Sequence, residues 1–292
     1  MSTESGTSVP KVELAGGAAI PQLGLGVFQV PPEQTTRIVG MALEAGYRSV
    51  DTAAAYRNES GVGDAISASA LDRSEIFVTT KLPNTEHGYA KGLAAFDASL
   101  ERLGLEYLDL YLIHWPVPAW DLYVETWEAL IEIKASGRVR EIGVSNFLPE
   151  HLERIIEATG VVPAVNQIEL HPGFPQHDLR DAHARLGIQT ESWSPLGQAD
   201  PELFEHPALT ATAQAHGKTV PQVILRWHLQ IGAIVIPKAS SPARLAENID
   251  VFDFELSDAE VNRTSAEIAE AGARYDTLIA RSILDYQMGA LR

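Results

Sequence analysis

Eight short apolar runs, each closing on a polar or aromatic residue and parted from the next by helix-patterned chain, constrain this sequence more than any other feature. They lie near Leu23–Val27 and at 47–51, 76–80, 108–113, 140–144, 162–166, 187–192 and 233–236, with ends about 20–45 residues apart. Eight strands with helical material between them is the count of a closed (β/α)8 TIM barrel, an α/β fold. An open doubly wound sheet is the rival. Against it, no strand leads into Gly-x-Gly-x-x-Gly: the stretches from Gly24 to Gln29 and from Gly61 to Ile66 both fail at the sixth place.

The intervening helices are read from periodicity and punctuation. Pro31, Pro32 and Glu33 open one whose apolar face is Ile38, Met41, Ala42 and Ala45. Others are expected at 58–70, along Ala90, Leu93, Ala94, Leu100 and Leu103, from Pro149, at 176–185 and at 220–230. The strongest stripe, Tyr123, Trp127, Leu130, Ile131 and Ile133, stops at Gly137. Residues between strand 187–192 and the helix at 220–230 read as irregular and proline-marked. Ahead of the first strand, Val12–Leu14 and Ala18–Ile20 flank Gly16-Gly17 as a small hairpin, with the glycines supplying the positive φ values of a two-residue turn and Pro21 ending it.

The 292 residues, 45% of them hydrophobic, suffice for one such barrel, and no linker or low-complexity run divides them. The expected organisation is a flexible tail over 1–10 and a single domain over 11–292. Its last part, from about residue 270 through Tyr275 and Tyr286, is expected over or beside the barrel. A net charge of −17 repels nucleic acid and anionic lipid, so an anionic ligand needs a local basic cluster. The chain has no cysteine, which excludes disulfides, thiolate metal sites and a cysteine nucleophile. Residues 1–10 have neither a basic start nor an apolar stretch, so no signal peptide or anchor is expected and the cytoplasm is the default.

The strand ends present, in order, Gly26-Val27-Phe28, Asp51, Lys81, His114, Ser145-Asn146, Gln167, Trp193-Ser194 and Lys238. Barrel interiors are apolar, so polar and aromatic groups at every C-terminal end describe a lined cup on one face. Tyr56 follows Asp51 by one short loop and supplies a weak acid. Taken singly, Tyr56 also fits a surface tyrosine, Asp51 with Lys81 a structural ion pair, and His114 beside Trp115 a packed core histidine. His171, His177 and His183 lack zinc-site spacing and are expected on the surface; no metal is expected. There is no Gly-x-Ser-x-Gly elbow for a serine hydrolase.

These residues stand in motifs. Gly46-Tyr47-Arg48-Ser49-Val50-Asp51-Thr52 with Tyr56, Thr80-Lys81, Leu112-Ile113-His114-Trp115-Pro116, Gly143-Val144-Ser145-Asn146-Phe147 and Asn166-Gln167-Ile168-Glu169 resemble the aldo-keto reductases, from the first hairpin to the last barrel helix. At Gly26-Val27-Phe28 and Trp193 the sequence is similar to the prokaryotic branch around 2,5-diketo-D-gluconate reductase.

The resemblance implies an NADPH-dependent oxidoreductase that reduces aldehydes or ketones, with Tyr56 as proton donor and His114 as second donor to the carbonyl oxygen. Lys81 would favour the Tyr56 phenolate, and Asp51 would keep Lys81 charged. It also implies cofactor contacts from Gly26, Val27, Ser145, Asn146, Gln167, Trp193, Ser194, Leu196, Gln198, Lys238, Ser240, Arg244, Glu247 and Asn248. Trp193 would stack on the nicotinamide, and Lys238 with Arg244 would meet the adenosine phosphate. Ala239 stands where the family often has serine, so NADH stays open as a second cofactor. Phe28, Trp115 and Trp120 would wall the pocket for small carbonyls, diketones or keto sugars. The family's usual state is a monomer. The alternative implied function is a cofactor-binding regulatory barrel without significant turnover.

Overall fold

The computed structural model describes residues 9–265. An antiparallel hairpin, β1 (Lys11–Glu13) and β2 (Ala19–Pro21), precedes an eight-stranded parallel sheet. Its strands are β3 (Leu25–Gly26), β4 (Ser49–Asp51), β5 (Phe77–Leu82), β6 (Leu108–Ile113), β7 (Val139–Ser145), β8 (Val165–Glu169), β9 (Gln189–Trp193) and β10 (Ile234–Val235), paired in chain order. The sheet closes on itself: Leu23 bridges Val235, Gly24 N donates to Val235 O at 2.9 Å, and Gly26 N donates to Pro237 O at 3.2 Å. That is the expected barrel.

Helices α1 (Pro32–Glu44), α2 (Glu59–Ala68), α3 (Tyr89–Leu103), α4 (Tyr123–Ala135), α5 (Pro149–Thr159) and α6 (His177–Leu186) each follow one strand. Then come α7 (Pro201–Phe204), α8 (Pro207–His216), α9 (Val220–Gln230) and, after β10, α10 (Pro242–Ile249). The apolar faces read from the sequence are the ones that pack: Ile38 and Ala42 of α1, and Trp127, Leu130 and Ile133 of α4, are buried in one core with β-strand residues Val50, Val78 and Tyr111. Gly137 has φ 78°, the left-handed geometry of a helix stop.

Gly63 shows why α2 carries glycines that do not make a phosphate loop. A Cβ there would meet the Leu103 carbonyl oxygen at 1.9 Å, so the residue lets α2 lie directly on the end of α3.

Several boundaries differ from the sequence reading. The strand expected at 162–166 runs Val165–Glu169, because Pro163 has no N–H for the ladder and pairing starts after it. The strand expected at 187–192 starts at Gln189, since Gly187, at φ 73°, caps α6. The segment read as irregular holds α7 and α8; Pro201 and Pro207 occupy first-turn positions, and the Asp200 and His206 side chains cap them. In the hairpin only Gly17 has positive φ, and the turn spans Leu14 to Ala18. Pro10 O accepts from Gln22 N at 2.8 Å, so the chain is already tied to the barrel at that residue. The tail expected from about residue 270 and most of the N-terminal tail lie outside the described residues.

Candidate active site

The cup is built where β4 to β9 end. Asp51 and Lys81 come from β4 and β5, and both are buried. Lys81 Nζ makes three contacts: Asp51 Oδ1 at 2.6 Å, the Thr52 carbonyl at 2.9 Å and Tyr56 Oη at 3.4 Å. An ammonium has three hydrogens, and each has an acceptor. Burial alone would pull the Lys81 pKa down; the Asp51 carboxylate, Tyr56 and Glu191 outweigh it and hold the pKa above the ordinary lysine value. Lys81 is therefore a fixed cation below a phenol that is only half-buried.

Tyr56 sits on a short 3-10 turn, Ala54–Tyr56. Its ring is edge-on to His114, with centroids 5.7 Å apart, and tilted against Phe28 at 5.0 Å. Burial and the neighbouring Lys81 push His114 down to about 3. A neutral imidazole offers one N–H donor and does not compete with the phenol as an acid near neutrality. Asn58, which the sequence reading passed over, fixes both flanking loops: its Nδ2 donates to the Val27 and Val30 carbonyls at 2.9 and 3.3 Å, and its Oδ1 accepts from Thr52 Oγ1 at 2.7 Å.

The amide side of the cup is already wired. Asn146 Nδ2 donates to the His114 carbonyl and to Ser145 Oγ, both at 3.0 Å, and its Oδ1 accepts from Trp193 Nε1 at 2.9 Å. Ser145 Oγ donates to the Gln167 carbonyl at 2.8 Å. Gln167 Nε2 donates to Asp51 Oδ2 at 2.8 Å and Glu191 Oε2 at 2.9 Å. The hydrogens of these amides are thus committed. A ligand carboxamide placed here would meet lone pairs on Asn146 Oδ1 and Gln167 Oε1, which fit its NH₂ group. Trp193, pinned through its indole nitrogen, stands half-exposed beside them.

Glu191 is the group that the sequence reading missed. It is 1% exposed, and burial and the Asp51 charge raise its pKa to about 7. The signal was available: Glu191 stands two residues before Trp193 on one strand, so both side chains face the same side of it.

Other expected contacts divide by position. Gly26 lies at the barrel seam, where a Cβ would meet the Ile236 carbonyl at 2.8 Å, and Val27 is fully buried. Ser194, half-exposed, has φ 47°, and Gln198, exposed, has φ 56°; Leu196 between them is half-buried. Lys238, Ser240 and Arg244 are exposed around the start of α10, whose N-cap Ser241 accepts from Arg244 N. A helix N-terminus flanked by Lys and Arg fits a phosphate. Ala239 is buried, leaving Ser240 as the exposed hydroxyl beside Lys238. Glu247 accepts from Thr219 Oγ1 at 2.7 Å, and Asn248 is buried. Phe28 and Trp120 are the exposed aromatics of the rim, at 54% and 44%, with Trp115 half-buried.

The rim is also strained. Gln29, Arg57, Val117, Asp121, Asn146, Gln176 and Ser194 all have positive φ, and all lie in loops that follow barrel strands. Such backbone concentrates at functional sites. The histidines expected at the surface are a correction: His171 and His183 are buried and only His177 is exposed. His183 lies 2.8 Å from Asn166 Nδ2 and 2.9 Å from Thr190 Oγ1, so its polarity serves the packing of α6 on the barrel. Among the described residues no group of histidine and carboxylate side chains forms a metal site.

A closed parallel barrel with a buried, hydrogen-bonded cation under a half-exposed phenol at its C-terminal rim is an arrangement that could transfer a proton. The chain belongs to the Aldo/keto reductase family, whose model matches residues 16–268. It is 57% identical over 265 residues to an aldo-keto reductase of Mycobacterium sp. (strain KMS), covering 91% of this chain and 95% of the relative. It is 49% identical over 250 residues to the methylglyoxal reductase DkgA of Escherichia coli, covering 86% and 90%. The crystal structure of a Gox0644 mutant in complex with NADPH matches with a TM-score of 0.84 at 51% identity, covering 88% of this chain and 93% of that one.

Proposed function

We infer that this protein is an NADPH-dependent carbonyl reductase that converts aldehydes or ketones to alcohols. The observation that carries the reading is the triple contact of Lys81 with Asp51, Thr52 and Tyr56. It places a fixed cation against the oxygen of a phenol that reaches the cup. The Gox0644 complex, with its bound NADPH, supports the cofactor.

NADPH, when bound, supplies the hydride. The chain's own groups do the rest. The carbonyl oxygen gains negative charge as hydride arrives at carbon, and Tyr56 gives it a proton, forming the alcohol. The phenolate left behind is stabilised by the N–H that Lys81 donates, and solvent returns the proton. His114, neutral, donates one hydrogen bond to the same oxygen. Asp51 holds Lys81 in its charged form. Asn146, Gln167 and Trp193 bind and orient the nicotinamide, Ser194, Leu196 and Gln198 line the pyrophosphate path, and Lys238, Ser240 and Arg244 take the adenosine phosphate. Phe28, Trp115 and Trp120 wall a pocket for small carbonyls such as methylglyoxal-type dicarbonyls, the substrate class in DkgA's name.

The reading takes 11–292 as one catalytic domain, acting as a monomer in the cytoplasm; a net charge of −17 favours separate copies. Among the described residues no helix is long and apolar enough to cross a membrane.

The test is titration of the protein with NADPH and with NADH, followed by loss of reduced-nicotinamide absorbance on adding aldehydes and dicarbonyls. Binding of NADPH with oxidation only after a carbonyl is added is the expected result. Binding without turnover on any carbonyl would instead favour a regulatory barrel.

A further inference from the structure

The barrel interior beneath the cup holds two carboxyl groups and one cation. Asp51 comes from β4, Glu191 from β9 and Lys81 from β5, and all three are buried, at 3%, 1% and 0% exposure. Lys81 contacts Asp51 directly; Glu191 is joined to them through Gln167, whose one amide nitrogen donates to both carboxyls at 2.8 and 2.9 Å. Gln167 and Glu191 are register partners on β8 and β9, so this bridge is built into the sheet. The other groups facing the set are Tyr56 and His114, on the Lys81 side; β10 offers apolar Ile234 opposite Glu191.

We propose that Glu191 is a positioning residue of this site: as an uncharged acid it fixes the Gln167 amide against Asp51, and on ionising it adds a negative charge beneath Lys81 and Tyr56. Two carboxylates that share one site with a single ammonium do not both ionise readily. The raised Glu191 value, about 7, agrees with that geometry. Two consequences follow. The nitrogen of Gln167 is held toward the carboxyls, so its oxygen is the atom turned to the nicotinamide side. Ionised Glu191 also opposes the Tyr56 phenolate, so Tyr56 keeps its proton, and the enzyme its reductive competence, to higher pH. The second consequence rests on the reductase reading; the protonation of Glu191 does not.

The experiment pairs two readouts on the parent and Glu191→Gln, which is neutral at every pH. In cofactor-free protein, the infrared carbonyl band of a protonated carboxylic acid is expected in the parent at about pH 6, fading as pH rises past about 7, and missing from the variant. In carbonyl reduction with saturating NADPH, the two proteins match within about twofold at pH 6, while the variant's alkaline limb lies about half a pH unit or more lower. Superimposable pH profiles, or one constant loss at all pH values, overturn the positioning role. A parent without a titrating carboxyl band overturns the protonation, and this decides the matter even where the variant fails to fold. A parent with the band but no turnover contradicts the reductase reading and leaves Glu191 protonation standing.

Discussion

The polar side chains of the cup differ in how visible they were in the sequence, and the difference has a physical cause. Asp51, Lys81 and His114 stand at or near strand ends, where a barrel turns side chains toward the cup, and the structure gathers them with Tyr56. Glu191 lies inside a strand, Gln189–Trp193, with polar residues on both faces, so alternation does not say which face is inward. Only its two-residue spacing from Trp193 does. Gln167 and Asn146 were legible as amides but not as to which atom serves a ligand. Their hydrogens are taken by Asp51, Glu191, Ser145 and the His114 carbonyl, which leaves acceptor oxygens. Asn58 was invisible because tying two loops together leaves no periodic trace.

At the scale of elements, apolar runs located every barrel strand, and the errors came from residues that act through the backbone. Pro163 and Gly187 delay two strands, while Pro201 and Pro207, read as breaks, start two helices. The start of α10 is the element proposed to bear on cofactor choice. Exposed Lys238 and Arg244 flank its first turn and positive dipole end, and the 2′-phosphate of NADPH would add a dianion that NADH lacks. Arg244→Ala is expected to weaken NADPH by about tenfold, roughly 1.4 kcal/mol, and to leave NADH nearly unchanged. Fluorescence titration of both cofactors checks it, and equal losses would remove the phosphate role from Arg244.

For the whole molecule, histidines held neutral in the fold are expected to set the acid limit. Burial is the largest cause that holds His87, His183 and His228 at about 4 and His114 at about 3, so all four fold in neutral form. Their stabilisation is present above the unfolded histidine value of about 6.5 and is lost as pH falls toward the folded values. Glu191 has the opposite sign: raised to about 7, it stabilises below the unfolded carboxyl value and loses that contribution as pH rises to 7. Between about pH 6.5 and 4.5 these histidines, joined by His151, whose pKa burial also lowers, oppose the one carboxyl, so thermal stability should fall steadily on acidification. Scanning calorimetry across that range checks this, and a flat or rising Tm would contradict it. At the rim, the direct pairing of β4 with β5 brings Tyr56, on the turn after β4, to Lys81 near the end of β5. The most direct test of the account is therefore to compare Tyr56→Phe with the parent, first in NADPH affinity and then in turnover of an aldehyde. Unchanged affinity with turnover reduced by about 10²-fold or more is the predicted result; a variant that reduces the aldehyde as fast as the parent would contradict it.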